Sequence, residues 1–184
     1  MRSHRLRNWA LLVGLTVFLL ALDQGSKLLV TRNLAVGEMW APIPALSKYF
    51  TITHVRNTGV AFGQLSGLGW LFMIVNLVVF VGILIYFPRI PEEQWQLRVA
   101  SGLIMAGALG NVISRLRAAY TIAQGTESLW AALPRAYVTD FFDFKIWPVS
   151  NVADACVVAG AIIVAWTLWK AERAEAPGEA MTGE

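Results

Sequence analysis

Charge is scarce in this sequence. Asp, Glu, Lys and Arg make up 15% of the 184 residues, against about 25% in an ordinary soluble domain. Hydrophobic residues reach 57%, and mean hydropathy is +0.56. A water-soluble globule and a disordered chain are both excluded by that balance. Net charge is only +3, and no basic stripe alternates with aromatics, so no nucleic-acid partner is expected. Cysteine occurs once, as Cys156, which excludes an internal disulfide and a cysteine-rich metal site. The two histidines, His4 and His54, are too far apart for an HExxH zinc site. No metal site is expected.

The hydrophobic residues fall into four apolar spans, at about 9–30, 68–87, 98–116 and 149–169. The uncharged part of the first, from Trp9 to Leu22, is too short for a hydrocarbon core of about 30 Å. A membrane helix there must continue through Asp23 and Lys27. Arg2, Arg5 and Arg7 before an apolar run also fit a signal peptide, but no small-residue cleavage site precedes a soluble region, so an uncleaved anchor is expected. The third and fourth spans are rich in Gly and Ala, which lets membrane helices approach closely. The arginine-dense N-terminal tail places both termini in the cytoplasm. The long connections, about 31–67 and 116–147, then face outward. Residues 1–170 form a single membrane domain, and 171–184 read as a disordered cytoplasmic tail. The run from Tyr49 to Arg56 is β-branched and aromatic, which predicts a strand in a small outer sheet.

The few acids are unusually placed. The four aspartates are Asp23, Asp140, Asp143 and Asp154, and none lies in a tail. A carboxylate at membrane depth costs on the order of 3 kcal/mol. In four antiparallel passes, the end of the first helix (Asp23, Lys27), the end of the third (Asn111, Arg115) and the start of the fourth (Asn151, Asp154) share one side. Asp140 and Asp143 lie just before that start. Asp23 and Lys27 are spaced i, i+4, as are Asn111 and Arg115, so each pair shares a helix face. Two carboxylates brought together in a low-dielectric site cannot both ionise easily. One keeps a proton and can polarise a carbonyl, while the other takes a proton from water. That is aspartic-protease chemistry, with Asp154 and either Asp140 or Asp143 as the pair.

Five motifs carry a family resemblance: Asp23-Gln24-Gly-Ser-Lys27, Asn57-Thr58-Gly59-Val60-Ala61-Phe62-Gly63, the run from Gly107 to Arg115 (G-A-L-G-N-V-I-S-R), Val138-Thr139-Asp140-Phe141 and Asn151-Val152-Ala153-Asp154. In this order, on four spans, the chain resembles the bacterial signal peptidase II family of intramembrane aspartic peptidases. The resemblance implies an all-α membrane fold of four transmembrane helices with a small extracytoplasmic β-sheet element, in the bacterial inner membrane. It implies removal of signal peptides from prolipoproteins, by cleavage on the amino side of a diacylglyceryl-modified cysteine. By motif, Asp140 rather than Asp143 joins Asp154 as the catalytic pair. Asp23, Lys27, Asn57, Gly59, Asn111, Arg115, Asn151 and Ala153 are implied as supporting or substrate-binding residues. Neither a metal nor an organic cofactor is implied. The expected partners are lipid-modified prolipoproteins and membrane lipids, with the protein itself a monomer. Ser114 stands where the family typically has Asp, and Ser150 where it has Phe. The 117–137 stretch is longer than usual and is expected to form an outer flap.

Other residues have plainer readings. Cys156 is expected to pack inside the last helix, Asn76 to make an interhelical hydrogen bond in preference to a substrate contact, and His54 to lie on a loop surface. The tryptophans cluster near span ends, as in an interfacial belt. A proton-coupled transporter is the rival reading, but the polar groups gather at one surface instead of lining a path across.

Overall fold

The computed structural model describes residues 2–59, 68–125 and 128–175. Helix α1 covers Arg2–Asn33, α2 Gly69–Tyr86, α3 Trp95–Ala123, α4 Leu129–Ala132 and α5 Val152–Glu175; the strands are β1 Met39–Trp40, β2 Thr51–Asn57 and β3 Val138–Asp143. Four helices are long and apolar enough to cross a membrane: Leu6–Asn33, Gly69–Arg89, Trp95–Ala123 and Val152–Arg173. α1 runs unbroken through Asp23 and Lys27, as its short uncharged stretch requires.

α3 is the central span, packed against α1, α2 and α5. Of its most apolar window 44% is buried, against 6% for α2. Small residues explain the difference. A side chain at Gly107 would collide with the Ala153 carbonyl, and one at Gly160 would come within 2.5 Å of Ile104. The helices can therefore nest backbone to backbone. α2 turns large apolar side chains such as Val75, Val78 and Ile85 outward, which in water would be a liability and in lipid is the favoured arrangement.

The strands form one antiparallel sheet in the order β1-β2-β3. Val55 lies opposite Asp140 and Asn57 opposite Val138, with an irregularity between Ile52 and Val55. This sheet folds the first long connection back onto the end of the bundle, beside the start of α5.

The described residues of the 117–137 stretch pack onto the bundle rather than forming the expected flap. α3 continues through Ala123, well past the expected end near 116. The chain then returns through α4 and a 3-10 turn at Leu133–Arg135. Ala118 and Ala119 pack against Ala132, Leu133 and Ala136, flanked by Met73 and Ile122. Small alanines on both sides make that return close-packed. α5 likewise runs into the segment read as a tail, reaching Glu175; residues 176–184 lie outside the described ones. His54 corrects the surface reading. It is 4% exposed and sits on β2, where its Nδ1–H donates to the Leu34 carbonyl at 2.9 Å. Strand pairing buries it; the residue type alone carries no sign of this.

Candidate active site

The site forms where β3 runs into α5. Asn151 and Asp154 cap that helix reciprocally. The Asp154 backbone N–H donates to Asn151 Oδ1 at 3.1 Å, and the Asn151 backbone N–H donates to Asp154 Oδ2 at 3.1 Å. This is a capping box, and it fixes the rotamer of Asp154 against its own helix. The helix N-terminus also favours negative charge there.

The Asn151 amide reaches further. Its Nδ2 donates to Asp140 Oδ1 at 2.6 Å, so one residue holds both carboxylates, one through its backbone and the other through its side chain. Asn57 Nδ2 donates to Asp140 Oδ2 at 2.8 Å, and Asn111 Nδ2 donates to Asp154 Oδ1 at 2.9 Å. Every oxygen of the pair thus accepts one fixed N–H. Asn57 is itself oriented, because its Oδ1 accepts the Gly59 backbone N–H at 3.0 Å, an Asx-type turn. Asp140 is buried. Burial, and next the charge of Asp154, push its carboxyl up to about 6, against the opposing hydrogen bonds from Asn151 and Asn57.

A second layer supports the first. Lys27 Nζ donates to Asp23 Oδ2 at 2.8 Å and to Asn111 Oδ1 at 3.2 Å. Asp23 Oδ1 accepts the Ala153 backbone N–H at 3.0 Å, so an acid on α1 caps the first turn of α5. Gly110 makes this reach possible: a Cβ there would fall 2.5 Å from Asp23 Oδ2. Arg115 is buried, donates from Nη1 to the Ala136 carbonyl at 2.9 Å, and exerts its charge on both Asp140 and Asp154. The return of the 117–137 stretch therefore has a direct consequence for the site, because it supplies the carbonyl that orients Arg115.

All ten residues singled out from the sequence lie in this region or directly beneath it. Of the motif Asn57–Gly63, the part from Val60 onward lies outside the described residues. Ser114, at the position where the resemblance leads one to expect Asp, keeps polar contacts: its Oγ accepts from Lys27 Nζ at 3.2 Å and donates to the Gly110 carbonyl at 2.8 Å. Ser150 enters through its backbone, which pairs with Phe142. Gln24, quoted within a motif but given no role, donates from Nε2 to Asp23 Oδ2 at 2.8 Å and to the Gly110 carbonyl at 3.0 Å. Its position beside Asp23 was the available signal.

A cavity of about 290 Å³ opens onto the pair, lined by Asn57, Arg115, Asp140 and Asp154 and, on the apolar side, by Phe72 and Val157. Asn76 also faces it and makes no hydrogen bond among the described residues, so the expected interhelical bond is absent. Lone polar residues in membrane helices often bond across a bundle; α2 places this one toward a cavity instead. A second cavity, lined by Gln24, His54, Arg56 and Arg117, contains neither carboxylate of the pair.

Asp143 belongs elsewhere. It is three residues beyond Asp140 on β3, pairs with Thr51 rather than Val55, and bonds a different set of side chains. It accepts hydrogen bonds from Thr53 Oγ1 at 3.0 Å and from Lys145. Burial works to raise its carboxyl, but the Lys145 and Thr53 hydrogen bonds outweigh that and hold it below the usual range. Asp143→Asn is expected to retain activity within about two-fold in a cleavage assay. A dead Asp143 variant would reopen the choice of acid.

Two aspartates held on a shared asparagine, beside a buried arginine and inside a four-span bundle, define a membrane-embedded aspartic peptidase. Residues 15–170 match the family model described as Signal peptidase (SPase) II, and the chain belongs to that family. It is 37% identical over 157 residues to the lipoprotein signal peptidase of Halothermothrix orenii, covering 85% of this chain and 94% of that one. To the lipoprotein signal peptidase of Bacillus subtilis it is 32% identical over 154 residues, covering 82% and 87%. Among solved structures it resembles a bacterial membrane enzyme determined at 2.3 Å, with a TM-score of 0.73 and 27% identity over 90% of this chain and 92% of that one.

Proposed function

We propose that this protein removes signal peptides from prolipoproteins by hydrolysing the peptide bond on the amino side of a diacylglyceryl-modified cysteine, with Asp140 and Asp154 as the catalytic pair. The observation that carries the reading is Asn151, bonded to both carboxylates at once. The roles divide by environment. Asp140, buried and pushed up to about 6, keeps the proton. Asp154, at a helix N-terminus with two N–H donors, carries the charge. Asp154 takes a proton from water as the water oxygen attacks the scissile carbonyl, and Asp140 gives its proton to the carbonyl oxygen. The resulting gem-diol collapses: Asp154 returns its proton to the leaving nitrogen, the C–N bond breaks, and Asp140 recovers a proton from a hydroxyl. Arg115 steadies the negative charge of the pair throughout. Asp23, Lys27, Asn57, Asn111 and Asn151 position the two acids, while Gly59, Gly110 and Ala153 supply backbone or close packing.

The pair lies where α5 begins; in this reading that level is the headgroup boundary, where a lipid-modified cysteine would present its scissile bond. In this reading both termini are cytoplasmic, the site opens at the extracytoplasmic face of the bacterial inner membrane, and the monomer works among membrane lipids. The test is incubation of the purified protein with a diacylglyceryl-modified prolipoprotein, with the products read by mass spectrometry. Scission immediately before the modified cysteine is expected, and an intact substrate would overturn the reading.

The pH dependence has a definite sign. The active form needs a proton on Asp140, so kcat/KM is expected to fall as pH rises through the titration of Asp140, at about 6. Asn57 donates to the charged form of Asp140, so its loss raises the carboxyl further. In Asn57→Ala the alkaline limb should move to higher pH; a shift toward lower pH would contradict the assignment of the proton.

A further inference from the structure

From Leu71 to Ile85 of α2, Asn76 is the one polar side chain, and the span is otherwise the most lipid-facing of the four. Asn76 lies seven residues, two turns, after Gly69, so it is on the same face of the helix and about 10 Å further along its axis. Gly69 marks the polar level, since a Cβ there would come within 2.6 Å of Arg115 Nη1 and 2.8 Å of the Ala136 carbonyl. The cavity's apolar lining includes Phe72, Val157 and Val158. An amide with no hydrogen bond among the described residues, in a helix otherwise suited to lipid, costs free energy in the protein alone. It faces a cavity that Asp140 and Asp154 also line.

We infer that Asn76 is a positioning residue that hydrogen-bonds the substrate's main chain just on the signal-peptide side of the scissile bond. This rests on the peptidase reading of the site. A signal peptide must cross the membrane as a helix, because its backbone groups have no other partners in hydrocarbon. At the catalytic pair the chain must be extended to expose one carbonyl. The substrate helix therefore ends within a few residues of the bond, and its last carbonyls lose their intrahelical partners. They lie on the membrane side of the pair, between Phe72 and Val157, where the side chain offering N–H donors is Asn76. An amide supplies two donors and an acceptor, enough for one main-chain unit.

Asn76→Leu and Asn76→Gln test the role, with three measurements: KM and kcat on a lipid-modified prolipoprotein, the Kd of a labelled synthetic signal peptide ending at the cleavage point and carrying no lipid, and the melting temperature. Asn76→Leu should raise both KM and the peptide Kd about three- to ten-fold, the loss of one hydrogen bond, with kcat within two-fold. Its melting temperature should be unchanged or higher, and Asn76→Gln should recover most of the peptide affinity. An unchanged KM and Kd would overturn the inference. So would a raised KM with an unchanged peptide Kd, since the contact would then be to the lipid. A fall of several degrees in melting temperature without recovery in Asn76→Gln would make the residue structural and overturn it as well. If the wild-type protein left prolipoprotein intact, the peptidase reading would fail, and the peptide Kd would still decide the role of Asn76.

Discussion

Asp140→Asn and Asp154→Asn are each expected to lower kcat/KM on a lipid-modified prolipoprotein by at least about a thousand-fold, roughly 4 kcal/mol of transition-state stabilisation. In the proposed mechanism the proton that one acid gives and the proton that the other takes belong to a single event, so either loss would stop both. The double variant should therefore be little slower than either single one. Some structural cost comes with the chemistry. Both oxygens of Asp140 accept from fixed donors, Asn151 and Asn57, and an introduced NH2 group must face one of them. About 1–3 kcal/mol of stability should be lost for that mismatch, visible as a lower melting temperature of a protein that still inserts. Full turnover by either variant would remove the basis of the assignment.

Asp23→Ala is expected to be the most destabilising substitution at the site. Asp23 is 1% exposed, neutralises Lys27 at 2.8 Å and caps α5 through the Ala153 N–H. Removing it leaves a buried ammonium group without its carboxylate, a change worth about 3–5 kcal/mol. The double variant Asp23→Leu with Lys27→Met should recover much of that loss, because no uncompensated charge remains. Activity should stay low in the double variant, since α5 has lost a cap and Asn111 the donor that orients it. Thermal unfolding in detergent measures the first effect and the cleavage assay the second. An Asp23→Ala protein that melts within a degree or two of the wild type would show that the pair is not structural.

Much of this was legible from residues alone. Apolar runs located the four spans, because in hydrocarbon a helix satisfies its own backbone and its length is set by the bilayer. The cost of a buried acid singled out Asp23 and Asp154, and counting passes placed them on one side with Asn111 and Arg115. Spacing left Asp140 and Asp143 open, and only the family motif chose between them. Residue identity did not show that His54 is buried, that α3 continues to Ala123 or that Asn76 has no hydrogen bond among the described residues. Each depends on what another segment brings alongside.

Sequence by itself determined the membrane class, the spans and the set of polar residues gathered at one end, since those follow from hydrophobicity, helix rise and local spacing. Only the tertiary structure decided which donor meets which oxygen. Asp23 finds the Ala153 N–H across 130 residues of chain, and Asn57 meets Asp140 through the pairing of β2 with β3. Such partners are chosen by how closely Gly107 and Gly110 let α3 approach its neighbours. Hydrogen bonds act over about 3 Å, a precision that local sequence patterns do not carry and close-packed helices do.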